Sequence, residues 1–150
     1  MKQRRRKTVP GSLPVMEIGC AFGFDAAHRF KGMRRGHRYG GVHGHSFRAE
    51  VVVRGTPRRP HGFVADFAAL EKACHALRGK LDHALLNEVR GLKTPSLESL
   101  CIWIWERLAA KFPDLSRVTV RRDSLGQSCT YRGPQRELLG ITPQASKQRT

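Results

Sequence analysis

Two stretches of strand-like alternation, separated by a glycine-rich basic loop, constrain this chain more than any other feature. Residues 15–30 carry Val15, Ile18, Cys20, Phe22 and Phe24, mostly at the two-residue period of a β-strand. Residues 45–54 alternate into Val51–Val53 and predict a second strand. Between them, residues 31–41 place Gly32, Gly36, Gly40 and Gly41 among four cationic side chains, a composition that reads as a loop. Two strands joined this way are expected to pair as an antiparallel hairpin, with the loop connecting their near ends.

That hairpin matters because of its histidines. His43-Gly44-His45 stands at the entrance of the second strand, where residues two apart point to one face. Gly44 puts no side chain on the other face. His28, near the far end of the first strand, comes opposite the His43/His45 pair if the strands pair. Three neutral imidazoles and an open fourth position describe a catalytic zinc site. Copper, nickel or iron also accept an all-nitrogen set, and the alternative is three unrelated polar histidines. Asp82-His83 is a second candidate, because a carboxylate can orient an imidazole for proton transfer. Its plain alternative is a solvated pair at a helix end.

The remaining elements follow from periodicity. Asp66 opens a helix running to about Lys80, with Leu70, Ala73, Cys74 and Leu77 on one face. Pro95-Ser96 opens a second, with Leu97, Leu100, Cys101, Ile104 and Leu108 on its face, Ser96 as N-cap, Glu98 in the first turn and Pro113 as terminator. Residues 117–123 and 127–133 predict two more strands. The order β-β-α-α-β-β implies an α+β fold: an antiparallel four-stranded sheet with two helices on one face. Its other face would stay uncovered in a monomer, which points to oligomerisation.

Length and charge bound the rest. The chain has 150 residues, enough for one domain, expected over 15–133 between a flexible basic arm (1–14) and a polar tail (134–150). No apolar run approaches the ~20 residues of a membrane helix, and no apolar stretch follows the basic N-terminus as in a secretory signal. A cytoplasmic protein is expected. Cys20, Cys74, Cys101 and Cys129 form no C-x-x-C pair, and the first three read as small buried hydrophobes. The net charge is +16, with five cations in the first 14 residues. Such an excess suits a small polyanion or nucleic acid, or simply keeps the chain soluble. No zinc finger, RNA-recognition signature or helix-turn-helix cue supports nucleic acid, which remains possible through the basic arm.

Several blocks carry a family resemblance. They are Phe24-Asp25-Ala26-Ala27-His28, His43-Gly44-His45-Ser46-Phe47, Gly62-Phe63-Val64-Ala65-Asp66-Phe67, Leu81-Asp82-His83-Ala84-Leu85-Leu86-Asn87, Pro95-Ser96-Leu97-Glu98, Trp103-Ile104-Trp105 and Tyr131-Arg132-Gly133. In this order and spacing, over about residues 24–133, the chain resembles the 6-pyruvoyl-tetrahydropterin synthase / 6-carboxy-tetrahydropterin synthase family. The resemblance implies the tunnelling fold (T-fold) and trimers paired into hexamers with sites between subunits. It implies zinc on His28, His43 and His45, engaging the side-chain hydroxyls of 7,8-dihydroneopterin triphosphate, and an Asp82–His83 pair that moves a proton. In the carboxy branch acetaldehyde and triphosphate leave, and the product feeds deazaguanine (queuosine-type) biosynthesis.

Two positions depart from the family pattern. The family's proton-moving cysteine lies four residues before the first histidine of H-G-H, where this chain has Tyr39. A phenol ionises near pH 10 and a thiol near 8.5, a gap of roughly 2 kcal/mol. Tyr39 is therefore either a general acid or base assisted by the cations of Arg34, Arg35 and Arg38, or a ring that stacks on the pterin or closes the loop. The pterin-anchoring glutamate, counted back from Tyr131-Arg132-Gly133, falls on Asp123, one methylene shorter. Glu98 and Arg38 are further candidates for substrate contact, the latter within a loop suited to triphosphate. Three functions are thus open: a lyase of the 6-carboxy type, a divergent enzyme performing aldol-type cleavage or epimerisation of a related pterin, and a non-catalytic pterin- or nucleic-acid-binding protein.

Overall fold

The structure, a computed structural model, describes residues 13–134. Apart from Leu13, Pro14 and Pro134, the expected arm and tail lie outside the described residues. Strands β1 (Met16–His28) and β2 (His43–Gly55) precede helices α1 (Phe67–Leu81) and α2 (Leu97–Leu108), and strands β3 (Leu115–Arg122) and β4 (Gln127–Tyr131) follow. The four strands form one antiparallel sheet in the order β1-β2-β3-β4. Helix α1 packs on β1, and α2 on β3 and β4. The expected α+β architecture and element order are both present.

The core lies between this sheet and its helices. Phe24 and Ala26 of β1, Phe47, Ala49, Val51 and Val53 of β2, and Val118 and Val120 of β3 are buried. Against them lie Leu70, Cys74 and Leu77 of α1 and Leu100, Cys101 and Ile104 of α2, the faces that the helical spacing selects. Asp66 caps α1, its side chain accepting from the Ala68 N–H at 2.9 Å. Ser96 caps α2, accepting from the Ser99 N–H at 3.2 Å. Each side chain satisfies an amide that the helix itself leaves without an acceptor.

Some boundaries differ from expectation for identifiable reasons. β2 begins at His43 rather than His45, because His43 pairs directly with His28. β3 begins at Leu115, which pairs with Val53 beyond a bulge at Val52/Val53. It ends at Arg122, because Asp123 opens a 3-10 turn (Asp123–Leu125). Regular α2 closes at Leu108, before Pro113. The N–H groups of Lys111 and Phe112 both return to the Leu108 carbonyl, turning Phe112 back onto the core. Cys20 is half-buried rather than buried, since β1 is an edge strand.

The opposite sheet face carries charge. Arg117 pairs with Glu17 at 2.7 Å, and Arg117 and Arg121 approach Glu50 at 3.9 and 3.8 Å. No described helix is long and apolar enough to cross a membrane. At the end of β4 the chain turns through Gly133, at φ +85°. A Cβ there would meet the Trp105 ring at 2.6 Å, and that ring packs edge-on against Tyr131 at 5.3 Å. Left-handed backbone strain and the overlap act together, so Gly133→Ala should lower stability by about 2 kcal/mol or more. Urea unfolding followed by tryptophan fluorescence measures this.

Candidate metal centre

The β1–β2 register places His28 opposite His43, and Ala26 opposite His45. All three imidazoles therefore leave the hairpin on its helix-facing side, continuing the rows of Phe24 and Phe47. Those two rings stack at 5.0 Å, and Phe47 meets His28 and His45 edge-on at 5.7 and 5.5 Å. One nitrogen from each of the three histidines lies within 4.8 Å of the other two. His28 is 1% exposed.

Backbone carbonyls decide which nitrogen faces inward. His28 Nδ1 lies 2.7 Å from the Pro95 carbonyl oxygen, and His43 Nδ1 lies 2.8 Å from that of Gly41. A carbonyl only accepts, so each Nδ1 carries the proton and donates it, leaving an Nε2 lone pair. Both Nε2 atoms are buried without a partner. His45 Nε2 accepts from Arg122 Nη1 at 3.2 Å, so it too presents a lone pair. Orphaned buried acceptors are costly, and outer carbonyls that fix the ring tautomer are characteristic of metal-binding histidines. The group can hold a metal ion.

Electrostatics favours the same state. Burial holds His28 below the usual imidazole range, partly countered by the Pro95 hydrogen bond. Burial, followed by the Arg122 guanidinium, pushes His45 down to about 4. Both rings are neutral at neutral pH, the form that ligates a metal.

Tyr39 packs beside this group. Its ring lies 5.4 Å from that of His43, with the Arg38 and Arg122 guanidiniums 5.4 and 5.7 Å from its centroid. Glu98 stands in the first turn of α2, held below the usual carboxylate range by its own backbone N–H and by Ser96, with a smaller contribution from Arg122. The Asp82–His83 pair forms, His83 Nδ1 lying 3.2 Å from Asp82 Oδ1. The N–H of Asp25 donates to the same Asp82 oxygen at 2.9 Å. This bond, with the charges of His83 and Arg78, holds the Asp82 carboxyl below its usual range. The His83 side chain is 82% exposed and its backbone is left-handed, at φ 58°. Such a conformation is uncommon outside glycine and concentrates at functional sites. His83 and His45 line one open cleft of about 550 Å³, together with Asp25, Ala26, Gly44 and Ser46.

Asp123 is exposed and lines a different hollow, with Phe22, Ser46 and Arg48. Arg122, one residue earlier, is the β3 side chain that reaches the histidines, and no motif in the sequence singles it out. Its signal was the alternation Val118, Val120, Arg122. The carbonyls of Gly41 and Pro95 had no signal, since every residue carries one.

Residues 17–134 match the family model described as 6-pyruvoyl tetrahydropterin synthase. A 6-carboxy-5,6,7,8-tetrahydropterin synthase of Synechocystis sp. is 36% identical over 108 residues, covering 66% of this chain and 80% of the relative. A dihydroneopterin monophosphate aldolase of Pyrococcus furiosus is 37% identical over 90 residues, covering 60% and 72%. The structure of Caenorhabditis elegans 6-pyruvoyl tetrahydropterin synthase superposes with a TM-score of 0.71 at 25% identity, covering 81% of this chain and 98% of that one.

Imidazoles held neutral in the fold, but titrating near 6.5 once unfolded, make the unfolded chain bind more protons in acid. Metal-free protein should therefore hold its full stability above about pH 6.5 and lose stability as pH falls towards 4, with a smaller loss in His45→Gln. Zinc at 100 times its Kd should raise unfolding free energy by about 2.7 kcal/mol at neutral pH. Thermal melts at pH 7.5 and 5, with and without zinc, measure both effects.

Proposed function

The chain belongs to the 6-pyruvoyl tetrahydropterin synthase family, and from that premise we propose a zinc-dependent lyase that converts 7,8-dihydroneopterin triphosphate to a 6-carboxy-tetrahydropterin. The observation that carries this reading is the convergence of one nitrogen from each of three histidines, with the Nε2 atoms of His28 and His43 buried without partners. Three nitrogen ligands with a vacant fourth position suit zinc. The chemistry zinc supplies there is Lewis-acid polarisation of the substrate's side-chain hydroxyls.

The chain's own residues account for the rest. The carbonyls of Pro95 and Gly41 hold two imidazoles in the ligating tautomer. The Asp82 carboxylate, 3.2 Å from His83 Nδ1, favours the tautomer with its proton on Nδ1, so that Nε2 is the atom left to accept a substrate proton. The packing of the Tyr39 ring 5.4 Å from that of His43 supports a proton-moving role for its Oη. The exposed His83 and the uncovered sheet face fit a homo-oligomer, trimer or hexamer, in which a neighbouring chain closes the cleft.

Tyr39 also favours a second reading within the same site. A phenol replaces a thiol, and one relative is named an aldolase. Aldol-type cleavage of a related dihydropterin would leave a hydroxymethyl-pterin in place of the carboxy product.

Zinc-loaded protein incubated with 7,8-dihydroneopterin triphosphate should release acetaldehyde and triphosphate with the 6-carboxy product, as read by chromatography. Hydroxymethyl-pterin in their place would establish the second reading, and tight pterin binding without turnover would remove both. Tyr39→Phe should lower kcat about 100-fold or more if Oη carries a proton, with metal content unchanged. His83→Gly should also lose turnover. Its stability should be unchanged or raised by up to about 1 kcal/mol, because glycine relieves the left-handed strain.

A further inference from the structure

The end of β3 turns a cation towards the three histidines. Val118 and Val120 are buried under the helices, and Arg122 continues their row. Its Nη1 donates to His45 Nε2 at 3.2 Å, while its Nε is buried without a partner. The ion pairs among the described residues involve Arg58, Arg78, His83, Arg117 and Arg121; none neutralises Arg122, whose charge reaches the Glu98 carboxylate only beyond ion-pair distance. Arg38 adds a second guanidinium on the same Tyr39 ring.

A metal held through His28, His43 and the His45 nitrogen that faces Arg122 would take the lone pair that Arg122 uses in this structure. Arg122 would then have Nη1–H as well as Nε–H without an acceptor. Nη2 has no acceptor among the described residues either, and it shares one edge of the guanidinium with Nε–H and the other with Nη1–H, so either edge matches the paired oxygens of a carboxylate or phosphate. A divalent cation and two guanidiniums crowded together also call for a compensating anion. A group made of donors, such as an amino-pyrimidine edge, finds no acceptor on Arg122. We infer that Arg122 is an oxyanion-binding residue of this centre, selecting ligands that carry a carboxylate or phosphate beside the oxygen that meets the metal. The inference rests on the metal site proposed above and adds which end of the substrate or product is held there.

The test uses cobalt(II)-loaded full-length protein, whose visible spectrum reports ligands entering the metal's coordination shell. Glycolate, its neutral isostere glycolamide, and methyl phosphate are titrated into wild type, Arg122→Gln and Arg122→Lys, with cobalt stoichiometry measured on each sample. Arg122→Gln should weaken glycolate, methyl phosphate or both by about tenfold or more, leaving glycolamide within about twofold. A loss confined to glycolate assigns the group to a carboxylate, and one confined to methyl phosphate assigns it to a phosphate. Arg122→Lys keeps the charge without the fork and should lose about threefold or more, which decides the matter if Arg122→Gln does not fold. Variants that bind one cobalt and change all three affinities equally, or none, overturn the role of Arg122 alone. Wild type that binds no stoichiometric cobalt overturns this inference and the metal reading together.

Discussion

The antiparallel register of β1 and β2 is the constraint from which the rest follows. Thirteen consecutive pairs run from Met16–Gly55 to His28–His43. Side chains alternate faces along a strand, so a one-residue slip would carry every buried group of one strand to the wrong face. Phe24 and Phe47, paired and stacked at 5.0 Å in the core, oppose such a slip. Burying each ring is worth about 1.5–3 kcal/mol. The histidines occupy the next positions along those same rows. Their convergence is thus enforced by apolar packing that exists without any metal.

Packing brings the rings together; the backbone determines their chemistry. The Pro95 carbonyl that receives the His28 proton lies immediately before Ser96, the N-cap of α2. Pro95 is itself buried. The entry of α2 is therefore tied to the end of β1, and the site joins three elements. The cost is carried locally: two imidazole nitrogens are buried with nothing to accept, and one further residue, His83, holds a left-handed backbone. Features that lower stability thus fall on candidate site residues, as expected where a fold gives up stability for chemistry.

Much of this was legible in the sequence because it rests on periodicity. The two-residue rows predicted the strands and set His28 against His43 and His45. The three- and four-residue rows selected Leu70, Cys74 and Leu77, and Leu100, Cys101 and Ile104, as the buried helix faces. Asp82 and His83 were legible as neighbours. Other features were not, for physical reasons. Carbonyls are present at every residue, so the partners of His28 and His43 depend on where a loop happens to pass. The φ of His83 is imposed by tertiary contacts, among them its N–H bond to the Asp25 carbonyl. The half-exposure of Cys20 depends on β1 being an edge, which no local pattern encodes.

Arg122 and Asp123 show where counting along a sequence stops being a structural argument. Counting back from Tyr131-Arg132-Gly133 crosses the 3-10 turn Asp123–Leu125, and a turn does not preserve the face of the sheet. Counting forward from Val118 and Val120 stays within β3, where face is preserved, and arrives at Arg122. The two counts disagree by one residue, and in a strand one residue separates the two faces. In this structure the forward count reaches the histidines, while Asp123 lines a separate hollow. The side chain that β3 delivers to the three histidines is a donor of fixed positive charge, and such a donor suits a ligand that brings oxygen lone pairs and negative charge.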